Sequence, residues 1–340
     1  MKDDQYSQWK KYYESRGILP EIQDKLLNYA KIHIDNNTPV IFNFEHLTLL
    51  LGREKNYLSS VVNSPDSHYR KFKIKKRSGG EREITAPYLS LLEMQYWIYR
   101  NILINVKIHY AAHGFAQDKS IITNSRNHLG QKHLLKMDLK DFFPSIKLNR
   151  IIYIFKSLGY PNIIAFYLAS ICSYKGHLPQ GSPTSPILSN IVSITLDNRL
   201  VKFARKMKLR YSRYADDLTF SGDKIPTNYI KYITDIINDE GFEVNDTKTK
   251  LYLKAGKRIV TGISVIGNDP KLPREYKRKL KQELHYIFTY GIGSHMAKKK
   301  IKKINYLYRI IGKVNFWLNI EPDNEYARNA KAKLLLLIDN

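Results

Sequence analysis

Two adjacent carboxylates at the tip of a predicted hairpin constrain the fold of this chain more than any other feature. Strand-like segments flank Ala215-Asp216-Asp217, and Leu218 and Phe220 share one face of the second segment. Like charges this close raise each other's pKa, so an acidic pair is unfavourable unless something neutralises it. Mg²⁺ does so by taking one or two carboxylates together with phosphate oxygens of a substrate. A solvated turn remains the alternative for this segment taken alone, because Asp is common in turns.

A third carboxylate, Asp138, ends the apolar segment 133–137, which reads as a short buried strand. A carboxylate at a strand end beside an acidic hairpin can hold two metal ions about 3.5–4 Å apart. That geometry stabilises both the attacking and the leaving oxygen of an in-line phosphoryl displacement. Asp138 read by itself could instead cap the N-terminus of a helix.

A loop rich in proline and glycine, LPQGSPTSP at 178–186, precedes a predicted apolar helix at 187–196. In this order, the strand ending in Asp138, this loop and the Tyr-Ala-Asp-Asp hairpin resemble the palm motifs of reverse transcriptases. The resemblance implies that Asp138 is the first metal-binding aspartate and that Asp216 and Asp217 are the second and its neighbour. It also implies that Gln180 and Gly181 contact the template–nucleotide pair.

Three further positions match the nucleotide site of that family. Phe143, five residues beyond Asp138, matches the aromatic under the incoming sugar, where a ring excludes a 2′-hydroxyl and so selects deoxynucleotides. Arg82 resembles the finger-strand arginine that pairs with the triphosphate, a contact that suits a guanidinium. Lys248 resembles the lysine that protonates departing pyrophosphate. The alternatives are that Phe143 is an aromatic residue of the core, that Arg82 is one more basic residue of a strand and that Lys248 is a solvated lysine.

The charge of the chain points to a polyanion. Lys and Arg number 56 against 31 Asp and Glu, and the formal net charge is +25. The cations come in blocks, at 71–77 and at 298–303, with aromatic residues interleaved or adjacent. Cations for phosphates beside rings for stacking suit a nucleic-acid channel, so we predict that Lys298, Lys299 and Lys300 bind RNA. The alternative is that these positive charges serve only to keep the protein soluble.

Two segments favour the retron family of bacteria among reverse transcriptases. Val260-Thr261-Gly262 resembles the VTG motif of that family, which is thought to recognise the specific RNA. The segment NSRNH resembles its NAxxH motif through Asn124 and His128, with serine where the family usually has alanine. The resemblance implies that these five residues bind RNA.

The sequence therefore predicts an α+β fold, a right-hand polymerase with fingers, an antiparallel palm sheet and a thumb. We expect an α-rich N-terminal segment at 1–64, fingers and palm at 65–264, and a basic helical thumb at 265–340. No apolar run reaches the ~20 residues that cross a bilayer. The N-terminus also lacks the apolar stretch of a secretory signal, so we expect a soluble, cytoplasmic protein without a membrane partner.

The resemblance implies an RNA-directed DNA polymerase that uses Mg²⁺ and deoxynucleoside triphosphates. Retrons copy a dedicated non-coding RNA, which serves as primer and template, starting from the 2′-hydroxyl of an internal guanosine. The product is a branched RNA–DNA hybrid called msDNA. The family acts in defence against phages, usually with a separate effector protein, so we expect both an RNA and an effector as partners.

Two alternatives stay open on the sequence. The first is another bacterial reverse transcriptase, of the group II intron or diversity-generating type. Intron enzymes usually carry a maturase extension, for which we expect this length to leave no room. The second is an RNA-binding scaffold that holds an effector silent while polymerisation is incidental.

Overall fold

The computed structural model describes residues 2–76, 79–253, 256–302 and 305–338. Arg77, which belongs to the first basic block, and the adjacent Ser78 lie outside the described residues, as does Lys303 of the second block. The helices of the described residues are α1 (Lys2–Ser15), α2 (Pro20–Asp35), α3 (Phe44–Leu51), α4 (Lys55–Asn63), α5 (Leu89–Asn101), α6 (Ile121–Arg126), α7 (Phe142–Ser145), α8 (Leu148–Ser157), α9 (Asn162–Cys172), α10 (Ser185–Val192), α11 (Ile194–Lys206), α12 (Asn228–Asp239), α13 (Arg274–Tyr290), α14 (Ile292–Lys298), α15 (Tyr306–Ile320) and α16 (Glu325–Leu336). The strands are β1 (Tyr69–Lys75), β2 (Glu81–Pro87), β3 (His133–Asp138), β4 (Arg210–Tyr214), β5 (Asp217–Gly222), β6 (Lys250–Tyr252), β7 (Ile259–Val260) and β8 (Ile263–Ser264). Short 3₁₀ turns occupy Pro65–His68, Leu103–Asn105 and Asp246–Lys248.

The central sheet has the order β4-β5-β3-β6, and all its strand pairs are antiparallel. Leu135 of β3 lies opposite Phe220 of β5, and both are fully buried in the main hydrophobic core. Apolar side chains of α5 and of α8 to α12 fill the same core. The antiparallel palm sheet is therefore confirmed, and the strand that ends at Asp138 lies in its interior.

Two of the N-terminal helices, α3 and α4, share this core. α2 begins at Pro20, where a proline is tolerated because the first turn of a helix leaves its N–H groups unpaired anyway. Leu47 of α3 and Leu58 of α4 are fully buried in the main hydrophobic core. The predicted helical character of the N-terminal segment is confirmed, and its second half packs as part of the central unit.

The hairpin formed by β1 and β2 extends into solvent with two different faces. Phe72 and Ile74 share one face and are each 43% exposed. On the opposite face, Lys73 forms an ion pair with Glu81 at 3.1 Å. Gly79 and Gly80 lie at positive φ between the two strands, as in the tight turns that glycine favours. Arg82 lies directly opposite Ile74, so the hairpin presents one face of mixed apolar and basic side chains and one charged face.

The C-terminal helices build a second core. Leu284 of α13, Trp317 of α15 and Leu334 of α16 are its buried centre. α13 begins at Arg274, directly after Pro273. No helix among the described residues has the length and apolar character needed to cross a membrane.

One predicted helix is wrong in its extent. The apolar run at 187–196 is divided between α10 and α11, with Ser193 between them. The Ser193 hydroxyl donates to the Ser189 carbonyl at 2.8 Å, a local bond that competes with the helical pattern and bends helices.

Candidate active site

The three predicted aspartates converge at one end of the central sheet. Asp138 ends β3, Asp217 begins β5, and the two residues are direct partners in the antiparallel ladder. Directly opposed residues project from the same face with Cβ atoms about 4.5–5.5 Å apart. Asp216 lies in the adjoining turn, and its carbonyl accepts the Leu139 N–H at 2.9 Å. Strand pairing thus unites carboxylates that are far apart in the sequence.

The turn that carries Asp216 is tight and unusual. Only Ala215 and Asp216 connect the paired residues Tyr214 and Asp217, and Ala215 has φ 56°. Positive φ at the first of two central residues is typical of a type II′ hairpin turn, which favours glycine. A non-glycine residue held there is a local strain of the kind found at functional sites.

Gly114 supports this turn and was missed by the sequence analysis. A Cβ atom on Gly114 would lie 2.5 Å from the backbone nitrogen of Ala215, so a larger residue would displace the hairpin. Asn190 fixes the same segment because its side-chain amide donates to the Gly114 carbonyl at 2.9 Å. No local pattern signals this contact, because it depends on close approach between distant segments.

A buried ion pair lies beneath the hairpin. Arg213 of β4 and Asp197 of α11 are both fully buried and form a bidentate pair at 2.9 and 2.6 Å. Arg213 also donates to the Ala215 carbonyl at 3.1 Å, and Tyr211 donates to Asp197 at 2.7 Å. The pair therefore ties the acidic turn to α11. The sequence did contain a signal: Asp197 lies on the helical stripe of Leu200 and other buried residues of α11.

The carboxylates of the turn are electrostatically unfavourable as they stand. Burial, together with the negative charges of Asp138 and Asp217, raises the pKa of Asp216 to about 6. Burial also raises the pKa of Asp217, with a further contribution from Asp138 that Lys136 opposes. The site therefore favours any species that brings positive charge to these oxygens.

Lys248 supplies one such charge. It ends the 3₁₀ turn before β6, and its ammonium lies 2.8 Å from each carboxylate oxygen of Asp138. Burial lowers the pKa of Lys248, but the hydrogen bond and the charge of Asp138 outweigh burial and raise it overall. The structure thus brings the predicted lysine and the predicted aspartates together in one cluster.

These residues fit a magnesium ion by their donor chemistry. Within the described ranges, no group of three or more His, Cys, Asp or Glu side chains is positioned to hold a metal ion. Mg²⁺ usually takes one or two carboxylates and completes its shell with water and substrate phosphates, so it does not need such a group. Asp138 and the Asp216–Asp217 pair offer carboxylates of this kind, and the Asp138 oxygens are held by Lys248 in this structure.

The remaining residues that we predict for the nucleotide site lie on neighbouring elements. The Gln180 carbonyl accepts the Thr85 N–H of β2 at 2.9 Å, and a Cβ on Gly181 would lie 2.8 Å from the Thr85 carbonyl. The predicted loop therefore packs on the strand that carries Arg82, whose side chain is exposed. Phe143 of α7 is half-buried, and its ring centroid lies 6.2 Å from that of Phe115.

Asn124, His128 and Thr261 form one internal hydrogen-bond chain. The Ser212 hydroxyl donates to Asn124 at 2.6 Å and therefore accepts from Nε2–H of His128 at 2.7 Å. Nδ1 of His128 then accepts from Ser221 at 2.7 Å. Asn124 donates to the Thr261 hydroxyl at 3.5 Å. These hydrogen bonds link the segment 124–128 to β4 and β5, the two strands that the Ala215–Asp216 turn connects.

Val260, Thr261 and Gly262 form the tip of the β7–β8 hairpin. Thr261 and Gly262 are its two central residues, with φ 45° and 85°, as in a type I′ turn. Such a φ is rare for a β-branched residue, and the Thr261 hydroxyl donates to the Ile121 carbonyl at 3.0 Å. Val260 is fully buried, whereas Gly262 is exposed.

The predicted RNA contacts therefore differ in accessibility. Asn124, His128 and Val260 are buried, so their side chains act inside the protein in this structure. Lys298, Lys299 and Lys300 are all exposed at the end of α14, in the C-terminal unit. The RNA-binding role of these residues stays a prediction.

Comparison with known proteins gives a consistent result. The family described as "Reverse transcriptase (RNA-dependent DNA polymerase)" matches residues 74–307. Retron Ec86 reverse transcriptase of Escherichia coli is 33% identical over 255 residues, covering 74% of this chain and 79% of that protein. Retron Ec83 reverse transcriptase of Escherichia coli is 32% identical over 277 residues, covering 76% and 85%. Retron Mx65 reverse transcriptase of Myxococcus xanthus is 37% identical over 238 residues, covering 64% of this chain and 56% of that longer protein.

Proposed function

The chain belongs to the retron-type reverse transcriptases, which are RNA-directed DNA polymerases, and from this premise we propose that it makes msDNA from a dedicated non-coding RNA. The observation that carries the catalytic part of the proposal is the direct pairing of Asp138 with Asp217 beside Asp216. The names of the retron relatives support the RNA-specific part.

In the proposed reaction, a hydroxyl of the primer attacks the α-phosphate of a deoxynucleoside triphosphate, and pyrophosphate leaves. Asp138, Asp216 and Asp217 would hold Mg²⁺, which when bound supplies positive charge to the attacking and leaving oxygens. The raised pKa of Asp216 and of Asp217 supports this role, because burial and the charge of Asp138 make the ionised carboxylates unfavourable until a cation binds. Lys248 carries a proton at neutral pH and is suited to donate it to the leaving pyrophosphate.

The neighbouring residues would select and orient the nucleotide. Arg82 binds the triphosphate from β2, and the Gln180–Gly181 loop that packs on this strand faces the templating pair. Phe143 lies five residues after Asp138 and excludes a 2′-hydroxyl from the sugar pocket. The exposed guanidinium of Arg82 and the half-buried ring of Phe143 support these roles.

The RNA would serve as both primer and template, with synthesis starting at the 2′-hydroxyl of an internal guanosine. We place this reaction in the cytoplasm, in defence against phages and with a separate effector protein. The N-terminal segment 1–64, fingers and palm 65–264, and thumb 265–340 would be its working parts. The second hydrophobic core, in the C-terminal helices, supports a separate thumb.

The proposed function is tested by measuring DNA synthesis on an RNA template with the purified protein. The protein is incubated with labelled deoxynucleotides, Mg²⁺ and a transcript of the DNA immediately upstream of its gene. We expect DNA that remains joined to RNA until a debranching enzyme is added. Changing Asp216 and Asp217 together to Asn should abolish incorporation while the transcript still binds. Equal synthesis by wild type and this variant would refute the catalytic assignment.

A further inference from the structure

A cationic pocket lies at the far end of β4 from the catalytic turn. The pocket has a volume of about 430 Å³ and is lined by Lys119, Arg126, Arg205 and Arg210 above a floor that includes Leu209. Arg210 begins β4, and the four steps from Arg210 to Tyr214 span about 13 Å at the usual rise of a strand. The pocket is therefore separate from the place where Asp216 would meet a nucleotide.

The four cations of this pocket lack carboxylate partners. None of them forms an ion pair within the part of the chain that the structure describes, and none of the described lining residues is Asp or Glu. All four side chains belong to exposed residues. Four uncompensated charges around one concavity attract an anion with several charged groups.

Neutral contacts hold two of the guanidinium groups in place. Arg205 donates to the hydroxyl of Tyr110 at 2.9 Å, and Arg210 donates to the Asn127 carbonyl at 3.2 Å. A guanidinium has five N–H donors, so each arginine keeps several for a ligand. Orienting these side chains in advance lowers the entropic cost of binding phosphate oxygens.

The segment that contains Asn124 and His128 also contributes residues to the pocket. These two side chains are buried, and the residues between them include Arg126 and Asn127, which line the pocket. The internal hydrogen bonds of His128 to β4 and β5 therefore fix the segment so that Arg126 faces outward.

We propose that this pocket binds the phosphate backbone of the partner RNA outside the cleft in which the RNA is copied. The inference rests on the proposed function, because it assumes an RNA substrate. It moves the RNA contact of this segment from Asn124 and His128 to Lys119, Arg126 and Arg210. RNA is favoured over an acidic protein because the pocket is one part of a chain with net charge +25 whose substrate is RNA.

The test compares two double variants that lose the same charge. Arg126→Gln with Arg210→Gln changes the pocket, whereas Arg100→Gln with Lys156→Gln removes two exposed cations outside it. The probe is a labelled transcript of the DNA immediately upstream of the gene, titrated at several salt concentrations. We expect the pocket variant to bind the transcript about tenfold more weakly than wild type. We also expect the slope of its log Kd against the logarithm of the salt concentration to be smaller by about 1.5. The control double should stay near wild type.

Two further measurements separate a phosphate contact from misfolding. Arg126→Lys with Arg210→Lys keeps the charges and should restore most of the affinity. Extension of oligo(dT) on poly(rA) should stay within twofold of wild type in the pocket variant, because this short duplex occupies only the copying cleft.

Equal weakening by the two glutamine doubles would overturn the proposal. Parallel loss of poly(rA) copying would also overturn it, since the pocket would then belong to the cleft. Competition by polyglutamate as effective as that by RNA at equal charge would favour an acidic protein instead. Failure of the wild-type protein to extend oligo(dT) would contradict the polymerase assignment, and the binding comparison would still decide the pocket.

Discussion

The ammonium group of Lys248 lies 2.8 Å from both carboxylate oxygens of Asp138, the residue that pairs directly with Asp217. The lysine therefore neutralises the carboxylate through which we propose that metal is bound. On this proposal, metal and lysine would compete for the same oxygens, so binding of Mg²⁺ would free the ammonium for the leaving pyrophosphate. This relationship connects metal binding with proton donation.

Changing Lys248 to Met should destabilise the protein only when metal is absent. The Asp138 side chain is 8% exposed and would lose its ion pair, whereas the lysine is more than half exposed, so we expect a loss of about 1–2 kcal/mol in the free energy of unfolding. Saturating Mg²⁺ should recover that loss. Urea unfolding with and without Mg²⁺ measures both quantities. Lys140→Met, which breaks a surface pair with Glu243, is the matched control and should show no effect of Mg²⁺. A Lys248 variant that behaves like this control would contradict the proposed competition between Lys248 and Mg²⁺ for the Asp138 oxygens.

Changing Phe143 to Val should admit ribonucleotides. A smaller side chain leaves room for the 2′-hydroxyl, so we expect discrimination between deoxynucleotides and ribonucleotides to fall about tenfold or more. Single-nucleotide extension with each substrate gives the ratio of kcat/KM values. Phe142→Leu tests the neighbouring core ring and should leave that ratio unchanged. Unchanged discrimination in the Phe143 variant would assign this ring to packing alone.

Changing Asp197 to Asn should be strongly destabilising. The substitution leaves the Arg213 guanidinium buried without its carboxylate, and removing one partner of such a pair costs about 3–5 kcal/mol. Asp239→Asn, which removes a surface partner of Arg199, should cost far less. Urea unfolding of both variants provides the comparison. Equal losses would show that the buried pair does not hold the hairpin.

His128 should make the protein less stable in acid. Burial, with a smaller effect from the charge of Arg210, lowers the pKa of His128 to about 3, whereas the unfolded chain titrates near 6.5. Between these values the unfolded state binds a proton that the folded state does not, so the free energy of unfolding falls as the pH falls below 6.5. From pH 7 to pH 5, wild type should lose about 2 kcal/mol more than His128→Gln, which does not titrate. The same pH dependence in both proteins would contradict this assignment.

Local patterns predicted the elements that carry the acidic residues. Alternation around Leu218 and Phe220, and an apolar run before Asp138, are sufficient for a hairpin and a buried strand, because side chains alternate along strands. The pairing of Asp138 with Asp217 follows from the register of those strands. The family resemblance indicated the same three residues independently.

Other parts of the site depend on contacts that no local pattern contains. Gly114 matters because the Ala215 backbone touches it, and Asp197 matters because Arg213 reaches it from another element. The resemblance named Asn124, His128 and Thr261 together, and the structure links these three residues by hydrogen bonds. It did not reveal that Asn124 and His128 point inward, because burial is decided by packing against β4 and β5.

The most direct test of the central claim is the position of a bound metal ion. Crystals of the protein soaked in Mn²⁺, which replaces Mg²⁺ at oxygen ligands and gives anomalous scattering, would locate it. We predict an anomalous peak about 2.2 Å from carboxylate oxygens of Asp138 and of the Asp216–Asp217 pair, with the Lys248 ammonium displaced from Asp138. Absence of a peak at these carboxylates, with Lys248 still bound to Asp138 at a saturating Mn²⁺ concentration, would contradict the account.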